Sequence, residues 1–250
     1  MPRRIFIGDV HGHYDGLMRL WDAIAPASTD QVYFVGDLID RGPKSAQVVN
    51  FVRKYAYGCV RGNHEQLLLD SFVGGNVNLP TLQGWLHSGG QATLSSYGGS
   101  AEALMDHIDW LRRLPLYIDL NDIWLVHAGV NPKLDIANQS SYELCWIRDT
   151  FHSSEQPYFE DKLILTGHTI TFTFPNIKPG QLVQGRGWLD IDTGVYHPRS
   201  GWLTALDWDN CRVYQVNVFE PELRVRTLSE AVTHIAPEQI KRRQRDTVSR

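Results

Sequence analysis

The sequence predicts an α/β (α+β) fold: a four-layer αββα sandwich of two mixed β-sheets packed face to face, with helices on both outer sides. Three observations predict it. From Arg4 to Phe72 short apolar runs alternate with helical-period segments, giving strand–helix–strand–helix–strand, which calls for right-handed crossovers and parallel pairing. From Lys162 the texture turns to strands, LILTG, GWLDIDTG, WLTALDW and RVYQVNVF, separated by Gly, Pro and Asn. Five strands, finally, stop abruptly in glycine together with acidic, amide or imidazole side chains, the pattern of rigid buried strands delivering polar groups to one exposed edge.

Taken in order, Arg4–Gly8 reads as a strand. His13–Ala25 reads as a helix, with Leu17, Leu20, Trp21 and Ile24 on one face. Asp30–Gly36 is a second strand, and Lys44–Tyr57, following Pro43, a second helix. Gly58–Arg61 is a third strand and Glu65–Phe72 a third helix. Gly74–Ser100, rich in glycine and polar residues, reads as a loop region with one short helix. Ala101–Arg113 is a helix, Leu116–Leu120 and Ile123–His127 a hairpin turning at Asn121-Asp122, and Ser140–Phe151 a helical or irregular segment.

The chain has 250 residues, 42% hydrophobic and 21% charged, which suits one globular domain with a substantial core. That domain is expected over residues 1–236, with a basic mobile tail over 237–250. A net charge of −4 argues against a nucleic-acid binder. Cys59, Cys145 and Cys211 have no metal-type spacing and read as reduced, buried thiols. No stretch approaches the roughly twenty apolar residues of a membrane span, and the apolar run after Arg4 is too short for a secretion signal. A soluble, cytoplasmic protein is expected, with a monomer favoured.

The strand ends supply Asp9, His11, Asp37, Asn63, His64, His127 and His168. Hard oxygens and imidazoles without thiolate suit Mn, Fe, Zn or Co and carry too much imidazole for calcium. The number exceeds what one tetrahedral ion needs, and two ions sharing a carboxylate would account for it. Asp9 and His11 can face one metal if the chain turns at Gly12. Asp37 can bridge, and Asn63, His127 and His168 would complete the second metal.

The order GDVHG, GDLIDRG, RGNHE, HAG, GH resembles the phosphoprotein phosphatase family within the calcineurin-like metallophosphoesterases. WLHSGGQATLSSYGG (Trp85–Gly99) is similar to the bacterial and phage branch, which holds small Ser/Thr phosphatases and symmetrical diadenosine tetraphosphate hydrolases. The resemblance implies the same four layers, two divalent ions (Mn²⁺ first, with Fe, Zn or Co as alternatives), and the same six ligands. It implies a two-metal-bound hydroxide attacking phosphorus directly and in line. His64 is expected to act as general acid, near-neutral imidazole being suited to protonating a leaving oxygen. Asp40 is expected to orient it, the alternative being a loop ion pair with Arg41. The family places phosphate-binding arginines at Arg41 and Arg61. Arg148 in CWIRD is a looser third match, equally readable as a surface partner of Asp149. His13, His87, His107, His152 and His234 have no ligand-type context.

Hydrolysis of phosphoserine and phosphothreonine in proteins or peptides is the first functional reading. Hydrolysis of diadenosine tetraphosphate or a related nucleotide is the second, and it calls for a stacking surface such as Trp85, Tyr97 or Trp146. A non-catalytic phosphate-binding protein ranks last, since every ligand and the acid are present. No nucleic-acid or membrane partner is expected.

Overall fold

The computed structural model describes residues 2–74 and 76–241. The N-terminal alternation is β1 (Arg4–Ile7), α1 (Tyr14–Ile24), β2 (Gln31–Phe34), α2 (Ser45–Tyr55), β3 (Gly58–Cys59) and α3 (Asn63–Ser71). A small hairpin, β4 (Phe72–Val73) and β5 (Asn76–Val77), leads into α4 (Leu79–Trp85), a π-type turn (Leu86–Gly90), α5 (Gln91–Ser96) and α6 (Ala101–Leu111). Then come β6 (Tyr117–Asp119), β7 (Ile123–Val126), α7 (Ser141–Trp146), α8 (Asp149–His152) and β8 (Leu163–Thr166). The strand-rich remainder is β9 (Leu182–Gly185), β10 (Trp188–Asp190), β11 (Trp202–Asp207), β12 (Arg212–Asn217), β13 (Leu223–Thr227), α9 (Leu228–Ala231) and β14 (Val232–His234).

The large sheets are both mixed, in the orders β13-β12-β11-β1-β2-β3 and β14-β9-β10-β8-β7-β6. Strands β1, β2 and β3 run parallel, as do β7, β8 and β10. Three apolar layers follow from the period-two alternation of side chains along a strand. In β1, Ile5 and Ile7 face the outer layer under α1 and α2, with Leu17, Leu20, Val48 and Val52. Phe6 faces the inner layer between the sheets, with Leu165, Leu189 and Leu206. In β7 the split repeats: Ile123 and Leu125 join the inner layer, while Trp124 and Val126 join a third layer with Leu144 and Phe151. Three apolar layers between four layers of structure are the αββα sandwich.

Three expectations need correcting. Residues 76–100 are mostly helical rather than loop: two short helices joined by a turn run from Leu79 to Ser96, with Gly84, Gly89 and Gly90 inside them. The chain also does not loosen at residue 237. Residues 237–241 are helical, and Ile240 is buried with Ile235 in the third layer, so apolar burial outweighs the basic composition there. The remainder of the expected tail lies outside the described residues. Cys59 and Cys145 are buried free thiols, but Cys211 is exposed in the tight turn between β11 and β12. No helix among the described residues is long and apolar enough to cross a membrane.

The loop after β2 is held by a carboxylate. Glu65, fully buried near the start of α3, accepts from the backbone N–H groups of Asp37 (2.8 Å), Leu38 (2.8 Å) and Gly62 (2.9 Å). Gly62 is required at this junction, since a Cβ there would lie 2.2 Å from Asp37 Oδ1 and 2.4 Å from Asp37 N. Glu65→Gln keeps the shape but replaces one acceptor oxygen with a donor facing buried N–H groups. A loss of about 1–3 kcal/mol is expected, read as a lower urea midpoint. An unchanged midpoint would show that this knot contributes nothing.

Candidate active site

The loops after β1, β2, β3, β7 and β8 converge on one buried point. Asp37, 2% exposed, lies between two imidazoles: His11 Nε2 is 3.5 Å from its Oδ2 and His127 Nε2 is 3.4 Å from its Oδ1. Asn63 Oδ1 lies 2.9 Å from His127 Nε2 and 2.8 Å from His168 Nδ1. Asp9 accepts from the His168 backbone N–H at 3.2 Å.

The opposite nitrogen of each imidazole identifies the tautomer. His11 Nδ1 donates to Ile39 O (2.9 Å), His127 Nδ1 to Val35 O (2.7 Å) and His168 Nε2 to Trp146 O (3.3 Å). This assigns lone pairs to His11 Nε2, His127 Nε2 and His168 Nδ1. The last two crowd Asn63 Oδ1 and Asp37 Oδ1 with no proton to share. Acceptors facing acceptors fit cations, and the candidate ligand atoms of His11, Asp37 and His64, and those of Asp37, His127 and His168, lie within 4.8 Å of one another in each group. Asp37 belongs to both groups, so the residues present fit a pair of divalent ions.

Electrostatics agree. Burial lowers the pKa of His11 well below the usual imidazole value, helped by nearby His64, and burial lowers His127 and His168 as well, so all three favour the neutral, ligating form. Asp9 is raised well above the usual carboxylate value, first by burial and then by the charges of Asp192 and Asp37. His64 moves the other way. Burial opposes its charge, but Asp37 and a hydrogen bond to Asp40 outweigh it and hold its pKa above the ordinary value.

His64 Nδ1 contacts Asp40 Oδ2 at 2.6 Å, leaving Nε2 for the pocket. Asp40 has no ion pair with Arg41 among the described residues. It accepts instead from Trp85 Nε1 (2.9 Å) and Thr93 Oγ1 (2.7 Å), and its own N–H donates back to Thr93 Oγ1 (2.8 Å). The glycine-rich segment is thus a clasp on the Asp40 loop. At Gly89, φ is 114° and a Cβ would meet Arg41 Cγ at 2.7 Å, so glycine lets the clasp close. Trp85 is fully buried, and Tyr97 donates to or accepts from His107 Nδ1 at 2.8 Å; neither forms an open stacking surface.

A pocket of about 120 Å³ opens over this cluster, lined by His11, Asp37, Arg41, Asn63, His64, Arg148 and His168, with Asp192 and Tyr196 beside them. The Arg41 guanidinium lies over the Tyr196 ring at 3.8 Å, and Arg41 Nη1 is 3.2 Å from His11 Nε2. Arg148 Nη1 donates to His168 O (3.1 Å) and Thr169 Oγ1 (3.2 Å) rather than pairing with Asp149. Arg61 is the exception. Its backbone N–H is bound to Pro115 O, and its guanidinium donates to Gln66 Oε1 (3.1 Å), Arg112 O (2.6 Å) and Leu114 O (3.1 Å). It lines a separate cleft and caps the end of α6, so the structure does not bring it to the phosphoryl pocket.

Asp192 and Tyr196 were missed in the sequence. They follow β10 in LDIDTGVY, and the strand-end rule that found Asp9 and Asp37 applies equally there. Burial raises the Asp192 pKa to about 6. His152 is buried beside Trp188 and Phe174, away from the pocket.

Comparison with known proteins bears on the assignment. A symmetrical bis(5'-nucleosyl)-tetraphosphatase of Erwinia tasmaniensis is 36% identical over 140 residues, 52% of this chain and 46% of that one. Its namesake in Klebsiella pneumoniae is 32% identical over 164 residues, 63% and 53% of the two chains. The chain thus aligns with about half the length of these relatives. A metallophosphoesterase from Sphaerobacter thermophilus shares the fold, with a TM-score of 0.56 at 19% identity over 92% of this chain and 91% of that one. The family model for calcineurin-like phosphoesterases matches residues 2–191, the stretch that carries every site residue above except Asp192 and Tyr196, and the chain belongs to that family.

Proposed function

We propose that the protein is a metal-dependent phosphohydrolase whose substrates are dinucleoside polyphosphates, cleaved at a phosphoric anhydride. The observation that carries the chemistry is the crowd of lone pairs around Asp37, set beside a His64–Asp40 pair and two guanidiniums. The nucleotide class rests on the similarity to the two tetraphosphatases. It moves ahead of phosphoserine and phosphothreonine, the first reading of the sequence.

Asp9, His11 and Asp37 would hold one divalent ion, and Asp37, Asn63, His127 and His168 the other. When bound, such a pair polarises a phosphoryl oxygen and makes water nucleophilic near neutral pH. The remaining steps belong to side chains. Arg41, stacked on Tyr196, and Arg148, tied to the His168 carbonyl, grip phosphoryl oxygens and offset charge that grows in the transition state. His64 Nε2 delivers a proton to the departing phosphate oxygen as its bond to phosphorus breaks. Asp40, locked by Trp85 and Thr93, fixes the ring that delivers it.

Stripping divalent ions by chelation should abolish turnover, and Mn²⁺ should restore it. A panel of diadenosine tetraphosphate, a phosphoserine peptide and a phosphothreonine peptide tests the substrate class. Higher kcat/KM on either peptide would reverse the assignment.

His64→Asn should retain the metals by elemental analysis yet lose about 10²- to 10⁴-fold in kcat. Metal loss in that variant would make His64 a ligand. The arginines should separate cleanly. Arg148→Ala should lower kcat/KM about tenfold or more, the scale of a lost charge-assisted hydrogen bond. Arg61→Ala should lower the urea midpoint and leave kcat/KM unchanged. A catalytic defect in Arg61→Ala would return it to the site.

A further inference from the structure

Next to the phosphoryl pocket lies a second cleft, of about 320 Å³, lined by Asn131, Tyr142, Trp146, Asp149 and Thr150. The two share Arg148 as a common wall. We infer that this cleft is the subsite for a nucleoside of the substrate, with the base stacked on the Trp146 indole and Arg148 at the boundary between nucleoside and phosphate. The inference rests on the nucleotide reading above and gives it a location.

Size separates the two spaces. About 120 Å³ accommodates a phosphoryl group and little more, whereas about 320 Å³ falls within the range of small-molecule sites. Aromatic surface is present where it is needed. Tyr142 and Trp146 are four residues apart in α7 and so share one face of it. Tyr142 is 71% exposed, so its ring is open to a ligand at the cleft. Trp146 is fixed to the catalytic centre: its carbonyl accepts from His168 Nε2, and its indole lies edge-on to the His168 ring, with centroids 6.3 Å apart at 80°. The alternative stacking residues of the sequence, Trp85 and Tyr97, are buried and hydrogen-bonded.

Charge argues for a nucleoside rather than more phosphate in this cleft. Glu143 and Asp149 lie along it, and a second polyanion would meet them unfavourably. Glu143 is committed to the Ser140 cap of α7. Asp149 has no side-chain partner among the described residues, which leaves its oxygens to accept from ribose hydroxyls. The Asn131 oxygen accepts from Lys133 N–H at 3.1 Å, so its amide N–H₂ remains as a donor toward acceptors on a base edge. Base–aromatic stacking is sequence-tolerant, because every base has a π-face; the cleft is therefore suited to nucleosides in general.

The test uses the full chain loaded with Mn²⁺, with diadenosine tetraphosphate and inorganic tripolyphosphate as paired substrates. The second has the anhydride and no base. Trp146→Ala should raise KM for diadenosine tetraphosphate about tenfold or more relative to tripolyphosphate, and Trp146→Phe should recover most of that ratio. Tyr142→Ala, an exposed change that spares folding, should shift the ratio the same way by a smaller factor. ADP should quench tryptophan fluorescence in the wild type and less so in Trp146→Ala. An unchanged KM ratio in both alanine variants, with wild-type turnover of diadenosine tetraphosphate intact, would overturn the subsite alone. Wild-type protein that cleaves tripolyphosphate but not diadenosine tetraphosphate would overturn the nucleotide reading and the subsite with it. A larger KM effect on a phosphoserine peptide than on the dinucleotide would reassign the cleft to peptide side chains.

Discussion

A single buried carboxylate fixes the geometry on which the candidate site depends. The oxygens of Glu65 face successive backbone N–H groups on two different strand ends. Three short bonds to one side chain pin the segment after β2 to the start of α3. Asn63 and His64 belong to that same first turn, and the His64 backbone N–H donates to Asp37 Oδ1 at 3.0 Å. One acid therefore sets the spacing between Asp37, Asn63 and His64, all of them at the candidate site. Burial and the charge of Asp37 push the Glu65 pKa up to about 7, while the backbone donors pull it back. The carboxyl is costly where it sits, and the backbone groups it serves would be orphaned without it.

That clamp explains how the backbone tolerates what the ligands demand. His11, Asp37, Asp40, Arg41 and His168 all have positive φ, between 44° and 72°. Non-glycine residues in this region cost of order 1–3 kcal/mol each and persist only where the surroundings over-determine them. Here the surroundings are specific. Glu65 holds Asp37, the Gly89 clasp holds Arg41, Thr93 holds Asp40, and Asp9 holds the His168 N–H. The sharp turns re-aim side chains from several parallel strands at one point, which smooth strand exits would scatter.

The sequence made the layers legible because alternation along a strand is local. Ile5, Phe6 and Ile7 sort themselves between two apolar layers without knowledge of the rest of the chain. The residues that gather at the site were legible for the same reason, each standing shortly after its own strand. What failed was non-local. Residues 74–100 read as loop because glycine weakens helix signals, and only their contact with the Asp40 loop shows that the glycines permit close approach. Arg61 stands between ligand residues in sequence, yet its partners are the carbonyls ending α6, which no pattern around RGNHE reveals. Ile240 was hidden by the basic composition that follows it, while it and Pro237 are buried. Asp192 was readable and passed over, in a strand-end motif of the familiar kind.

Chemistry and substrate choice fall on different elements. The ligands and His64 are rooted in strand ends, the rigid part of the fold, where a displacement of even an ångström would be costly. Trp146, Arg148 and Asn131 lie instead on the excursion between β7 and β8, outside both sheets. That excursion meets the candidate site through the His168–Trp146 and Arg148–His168 hydrogen bonds, so its position is referenced to His168. A family can therefore keep one phosphorus chemistry while the segment between these strands changes the group presented to it. Belonging to the calcineurin-like phosphoesterases bears on the first property, and the proposed subsite would assign the second to the α7–α8 side chains. In this chain those are two aromatic rings on one helical face and a guanidinium shared with the phosphoryl pocket, a combination suited to a flat base followed by phosphate.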